Sequence, residues 1–235
     1  MAELEHEHWW YRGRRAVIRR LLERLELPLD ATLLEVGSGS GGNLPLLSEF
    51  GDAFGLEPSS HADHPPELRR KVVCGRAPYL PIGDESVDVV AALDVLEHLH
   101  DELAALVDCR RVLRRGGWVV LYVPAYQLLW GHEDIISAHL RRYRAGEIRR
   151  LLVAAGFEVF HLSYSNMALF PIIAAAKVAK RLLLSDGGPP RSDVSMPPPL
   201  LNDLLSIVTE AEAEVAATMS LPFGASVLAA ARKLE

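Results

Sequence analysis

Cysteine is scarce in this 235-residue chain: Cys74 and Cys109 are the only two, and they form no C-x-x-C pair. That spacing offers no disulfide framework, so both thiols read as small core residues in a reducing compartment. Positive charge is not in excess either. Lys and Arg number 25 against 31 Asp and Glu, a net charge of −6. This argues against a protein built to grip phosphate backbones, and no nucleic-acid partner is expected. Long hydrophobic runs are missing as well. The longest uncharged apolar stretch, residues 167–176, is too short to cross a bilayer. The first residues, Met1-Ala2-Glu3-Leu4-Glu5-His6, lack the apolar run of a signal peptide, so a cytoplasmic location is expected. No internal repeat is evident. What remains is an ordinary globular composition, 49% hydrophobic and 24% charged, in a length suited to a single domain.

The apolar pattern alternates between two periods. Val17, Ile18, Leu21, Leu22 and Leu25 recur at helical spacing over residues 14–25, with arginines on the other face. Thr32-Leu33-Leu34-Glu35-Val36 then reads as a strand that runs into a glycine-rich turn. A helix over residues 44–50 follows, closed by Gly51. Strands are expected at 53–57, 72–74, 87–93 and 118–123, with a helix at about 101–113 before the last of these. A helix from about Ala145 to Gly156 precedes a strand at 157–160. Strands alternating with helices predict a doubly wound α/β fold. Its sheet is expected to be seven-stranded, mostly parallel and Rossmann-like, with an antiparallel last strand at 225–231. A helical insertion precedes that strand, with helices at 170–184 and through Leu201, Leu204, Leu205, Val208 and Val215. Between these two helices, Gly187-Gly188-Pro189-Pro190 and Pro197-Pro198-Pro199 bracket a polar loop. The single domain thus divides into an aromatic and basic cap (1–28), a core (30–165), an insertion or lid (166–220) and the last strand (221–235).

The turn Gly37-Ser38-Gly39-Ser40-Gly41 lets the backbone approach a ligand closely, because no Cβ intervenes. A following helix offers its N-terminus to an anion. Glu57, at the expected end of the second strand, is placed to accept hydrogen bonds from two ribose hydroxyls. Together these describe a nucleoside crevice at the carboxyl edge of a parallel sheet. Gly37, Gly39 and Gly42 also spell G-x-G-x-x-G, the dinucleotide fingerprint. Glu35 separates the two readings. A carboxylate at the floor of the turn suits an ammonium group, which a dinucleotide lacks.

Two further segments complete the pattern, Leu93-Asp94-Val95-Leu96-Glu97-His98 and Leu113-Arg114-Arg115-Gly116-Gly117-Trp118. With residues 34–47 and Cys74-Gly75-Arg76-Ala77-Pro78-Tyr79-Leu80-Pro81, they resemble the class I methyltransferases of the type-11 and type-23 methyltransferase-domain families. The ordered matches cover roughly residues 30–160. The resemblance implies S-adenosylmethionine as cofactor and S-adenosylhomocysteine as product. It implies that Glu35, Gly37, Ser38, Gly39 and Asn43 surround the methionine part, with Asp94 and Val95 bordering it. Glu57 and Pro58 would hold the ribose, and Ala77 would lie near adenine. Arg76 stands where such families usually carry an acidic residue, and it is assigned no role. Asp94 is also a favoured N-cap type ahead of Leu96-Glu97-His98, a role compatible with the first.

Methyl transfer from a sulfonium needs alignment and exclusion of water more than a catalytic dyad. A base is needed only for an acceptor that loses a proton, such as a hydroxyl. His132 and His139, in the loop expected after the fifth strand, are the candidates; each is equally readable as a surface or hydrogen-bonded histidine. His98 reads as structural. His8-Trp9-Trp10-Tyr11-Arg12-Gly13-Arg14-Arg15 precedes the first helix. Trp10 could close over the cofactor and Arg14 could reach its carboxylate, or the segment could staple that helix to the core. Residues 139–144, with Arg141, Arg142 and Arg144, suit an anionic acceptor or a solvated helix start. Lys177, Lys180 and Arg181 beside apolar residues suit peripheral contact with a membrane surface, or packing on the protein itself. The expected function is methyl transfer to O or N of a small-molecule or glycan/lipid-type acceptor. The alternatives are an NAD(P)-dependent oxidoreductase and a non-catalytic nucleoside-binding module.

Overall fold

The computed structural model describes residues 6–58, 68–183 and 195–234. The Gly187–Pro190 part of the expected loop and the side chains of Lys180 and Arg181 lie outside the described residues. Seven strands form one sheet: β1 (Thr32–Val36), β2 (Asp52–Glu57), β3 (Val72–Cys74), β4 (Val87–Leu93), β5 (Leu113–Pro124), β6 (Glu158–Ser165) and β7 (Ser226–Arg232). Their order is β3-β2-β1-β4-β5-β7-β6. β1 pairs in parallel with both β2 and β4, whereas β7 runs antiparallel to β5 and β6. The strand order therefore reverses between β1 and β4, which opens a crevice beyond their carboxyl ends. β4 is buried along nearly its whole length, as a strand covered on both faces must be. β5 starts earlier than its apolar run, because Leu113 already pairs with Val87 of β4 across a register shift.

Helix α1 spans Trp9–Leu22. It starts five residues before the expected position, so Trp9 and Trp10 lie inside the helix. The cause is His8, whose imidazole accepts from the Trp10 N–H at 3.2 Å and caps the first turn. Val17, Ile18, Leu21 and Leu22 are buried as the spacing predicts, but Arg14 is buried beside them. The helix after the glycine turn, α2 (Leu44–Leu47), is a single turn. It is too short to develop the dipole expected of it. The remaining helices are α3 (Glu102–Val112), α4 (His132–Ile136), α5 (Ala145–Ala154), α6 (Phe170–Leu183) and α7 (Pro199–Thr218).

α7 packs along α1 with an unexpected face. Its buried residues are small or polar, among them Asn202, Ser206, Thr209, Ala213 and Ala216. Its apolar Leu201, Leu204, Ile207 and Val215 are exposed. Close approach explains the inversion: a Cβ at Gly13 of α1 would stand 2.6 Å from Thr209 Cβ. Large leucines cannot fill so narrow a gap. Asn202 also latches the start of α1, accepting from the Trp9 N–H and donating to the Glu7 carbonyl, both at 2.9 Å.

Candidate functional site

β1 ends in a turn that only glycine takes comfortably: Gly37, Gly39 and Gly41 have φ of 69°, 50° and 82°. The Gly37 and Ser38 N–H groups donate back to the Leu56 carbonyl at 2.8 and 3.0 Å, fixing the turn against β2. The first two glycines serve different ends. A Cβ at Gly37 would collide with Val95 at 2.7 Å, whereas one at Gly39 would meet no protein atom within 4 Å. Gly37 therefore lets two loops touch, and Gly39 leaves room beside the cavity. The Gly39 N–H donates to Glu57 Oε2 at 2.9 Å, which ties the ends of β1 and β2 together.

Opposite, β4 runs out into Asp94, whose φ of 56° lies in the left-handed region. Asp tolerates that region better than most residues, and the Asp94 N–H donates to the Tyr122 carbonyl at 2.8 Å. The expected N-cap role is not observed: Val95 occupies the cap of the following 3-10 turn, with no side-chain cap bond. The Asp94 carboxylate instead accepts a hydrogen bond from Arg14, as an ion pair. Arg14 also reaches Asn43 Oδ1 at 3.4 Å, and Asn43 Nδ2 donates to Glu35 Oε1 at 2.6 Å. A relay of alternating acceptors and donors thus runs Glu35, Asn43, Arg14, Asp94. Burial works against the Arg14 charge, but Asp94 and Glu35 outweigh it and hold its pKa above the usual arginine value.

A cavity of about 740 Å³ opens between these two strand ends, within the size range of small-molecule sites. Trp10, Arg14, Gly37, Ser38, Gly39, Asn43 and Asp94 line it. Glu35 stands one layer back, behind Asn43. Val95 borders Gly37. Glu57, Pro58 and Ala77 lie outside the cavity lining; Pro58 ends the described segment, and Ala77 packs against the core. Ile173, Ala176 and Lys177 of α6 close another side, so the insertion contributes to the wall.

Another wall is built by the turn after β4 and the segment after β5. Glu97 is fully buried, and its carboxylate oxygens accept no hydrogen bond from any described residue. Burial, and then the nearby Asp94 charge, push its pKa well above the usual carboxylate range. His98 was expected to be structural; it is exposed and lines the cavity with His139. Their rings meet edge to face at 4.7 Å. His139 Nδ1 lies 2.8 Å from Asp134 Oδ1. An ionised carboxylate only accepts, so Nδ1 carries the hydrogen and Nε2 is the open nitrogen. Asp134 is buried, which disfavours its charge. Hydrogen bonds from His139, from Arg142 and from the Gly131 N–H more than offset this and hold its carboxyl below the usual range. Arg142 is committed to that pair at 2.7 and 2.9 Å, and Arg141 to Glu102. The sequence allows this segment to be an anion-binding cluster or a solvated helix start; both arginines answer first to carboxylates of the protein itself, and Arg142 also lines the cavity. His132 is not in the cavity wall; its neighbour Glu133 is.

The polar set fits the methionine end of S-adenosylmethionine. A zwitterion needs a cation for its carboxylate and an anion for its ammonium; Arg14 and Asp94 offer both on one wall, beside glycines that leave space. A family model described as a methyltransferase domain matches residues 9–162. A protein of Mycolicibacterium smegmatis, described as a probable S-adenosylmethionine-dependent methyltransferase, is 32% identical over 165 residues. The match covers 66% of this chain and 62% of that relative's length. An S-adenosylmethionine-dependent methyltransferase of Archaeoglobus fulgidus shares the fold at TM-score 0.55 and 17% identity, with 94% and 93% of the two chains covered. The [4+2]-cyclase SpnF does so at TM-score 0.58 and 21% identity, covering 93% of this chain and 80% of that one. The fold alone therefore does not fix the reaction. The family does fix the ancestry: the chain belongs to the methyltransferase-domain family, and S-adenosylmethionine is the cofactor that membership implies.

Proposed function

We propose that this chain transfers a methyl group from S-adenosylmethionine to an oxygen or nitrogen of a small-molecule or glycan/lipid-type acceptor. One observation carries the reading: the Arg14–Asp94 pair and the two histidines His98 and His139 line one and the same cavity. When bound, the cofactor supplies an electrophilic methyl on sulfur; as the bond to the acceptor forms, the carbon–sulfur bond breaks with its electron pair left on sulfur, giving S-adenosylhomocysteine.

The residues divide the work. Arg14 takes the methionine carboxylate and Asp94 the ammonium, while Glu35 adds negative potential through Asn43. Gly37, Ser38 and Gly39 let the backbone lie close, and Val95 limits movement beneath them. Glu57 and Pro58 hold the ribose, and Ala77 borders adenine. Trp10 and the α6 residues exclude water, which makes segment 166–220 the lid over the acceptor. An acceptor hydroxyl loses its proton at the wall holding His139; this role falls to His139 before His132, because His139 faces the cavity.

No described helix is long and apolar enough to cross a membrane. The exposed Leu200, Leu204 and Ile207 of α7 support peripheral contact with a lipid surface in the cytoplasm, which suits a lipid-linked acceptor. Calorimetric titration with S-adenosylmethionine, S-adenosylhomocysteine and NADH tests the cofactor; the first two are expected to bind and the third is not. Binding of NADH alone overturns the reading. Transfer of labelled methyl into lipid and aqueous cell fractions then identifies the acceptor class, and persistent absence of product favours a binding module without turnover.

A further inference from the structure

We propose that Glu97, His98 and His139 form a binding site for a divalent first-row transition-metal ion that holds the acceptor's oxygen. The site itself stands on geometry, whereas its role toward the acceptor rests on the methyl-transfer reading. Each of the three residues brings one donor atom within 4.8 Å of the others. Donors sharing an ion at about 2.1 Å lie within about 4.2 Å of each other. Closing the set takes about an ångström of side-chain movement, for which His98 trades its backbone hydrogen bonds to Ser137 and Ala138 for the ion.

Two observations point to a ligand independently of that proximity. Glu97 is 0% exposed, yet neither of its carboxylate oxygens has a hydrogen-bond partner among the described residues. A buried carboxylate in that condition is costly unless a cation meets it. His139 presents Nε2 4.0 Å from Glu97 Oε1, while its Nδ1–H is held by Asp134 at 2.8 Å. A carboxylate behind the second nitrogen is the usual support of a metal-binding histidine, since it fixes both tautomer and ring plane. Asp134 is itself fixed by the Gly131 N–H at 2.7 Å and by Arg142. The support is therefore rigid before any ion arrives.

The donors select the ion. One carboxylate and two imidazoles suit zinc, cobalt, iron or manganese, whereas magnesium and calcium prefer oxygen alone. Three protein ligands leave a position open, and both histidines line the cavity, so the opening faces the acceptor. The acceptor class is then one that presents a hydroxyl or carboxylate oxygen as a ligand. A hydroxyl held there ionises more readily, and its proton leaves to bulk water as the acceptor enters, before water is excluded for the transfer. With an ion bound, His139 is a ligand, and this replaces the proton-accepting role it would have in a metal-free cavity.

The test uses the full chain without a polyhistidine tag, carrying Cys74→Ser to remove the exposed thiol as a competing ligand. The protein is stripped with a chelator and dialysed against Zn²⁺ or Co²⁺. About one equivalent should be retained, with visible Co²⁺ absorption of a low-coordinate nitrogen and oxygen site. His98→Ala, an exposed change that leaves folding intact, and Glu97→Gln should each weaken retention at least tenfold. No retention, or retention unchanged in His98→Ala, overturns the proposal. Calorimetry with S-adenosylmethionine on the stripped protein separates the two readings. Cofactor binding without ion retention defeats the metal site alone, and ion retention without cofactor binding defeats the methyl-transfer reading alone.

Discussion

Arg14, in the second turn of α1, is ion-paired with Asp94, the first residue past β4, across 80 positions of sequence. The pair joins the cap to the core at the point where the sheet order reverses. Arg14 is nearly buried and Asp94 only partly exposed, so the two charges depend on each other more than a surface pair does.

Arg14→Leu leaves Asp94 without that partner and should cost about 3 kcal/mol of stability, read from chemical denaturation. Affinity for S-adenosylmethionine should fall at least tenfold, and Arg14→Lys, which keeps the charge but loses the fork, should fall between. Unchanged affinity in both variants would remove Arg14 from the cofactor site.

Gly39→Val separates space from strain. The position is left-handed with φ of 50°, yet a Cβ there meets no atom beyond its chain neighbours within 4 Å. The backbone should cost roughly 1–2 kcal/mol, while the side chain enters the space argued to hold the cofactor. Cofactor binding is expected to be lost in a protein that still unfolds cooperatively. Binding retained at wild-type strength would place the ligand elsewhere.

His161 sets a pH dependence outside the cavity. Burial lowers its pKa below 6.5, against a raising effect from its 2.8 Å hydrogen bond to the Ala216 carbonyl. The unfolded chain therefore takes up this proton more readily than the folded one. The folded state carries no penalty above pH 6.5, and stability falls as pH drops from 6.5 through the lower folded value. His161→Gln should flatten that part of the stability curve. Parallel curves for the two proteins between pH 7.5 and 5 would refute the assignment.

Much of the sheet was legible because its signals are local. Residues 87–93 carry β4 as a continuous apolar run, and the glycines after Val36 announce a turn whatever surrounds them. One wall of the cavity was legible through Asp94, Asn43 and Arg14, although their mutual contacts were not. What escaped depends on distant partners. The buried face of α7 is small and polar because Gly13, almost two hundred residues earlier, lets the two helices approach; a count of leucines points to the opposite face. His98 looked structural beside apolar neighbours, and only the return of residues 131–142 past Glu97, with the Leu140 N–H donating to the Glu97 carbonyl at 2.7 Å, sets it against His139. The preference for His139 over His132 was likewise invisible, since they stand seven residues apart on one segment and differ in which way they face.

The hydrogen bond between Asn202 and Trp9 spans 193 residues. A ribosome adding roughly 5–20 residues per second needs about 10–40 seconds to cover that distance. Through this interval α1 exists without the helix that latches its start at Trp9, although Arg14 can pair with Asp94 once 80 further residues are made. Glycine turn and β4 can be finished long before, because their contacts lie close in sequence. The nascent chain would therefore hold a partial cavity until α6 and α7 emerge. Ligand present during synthesis could not grip the protein fully before then, and it would act as a check on chains that have reached α7.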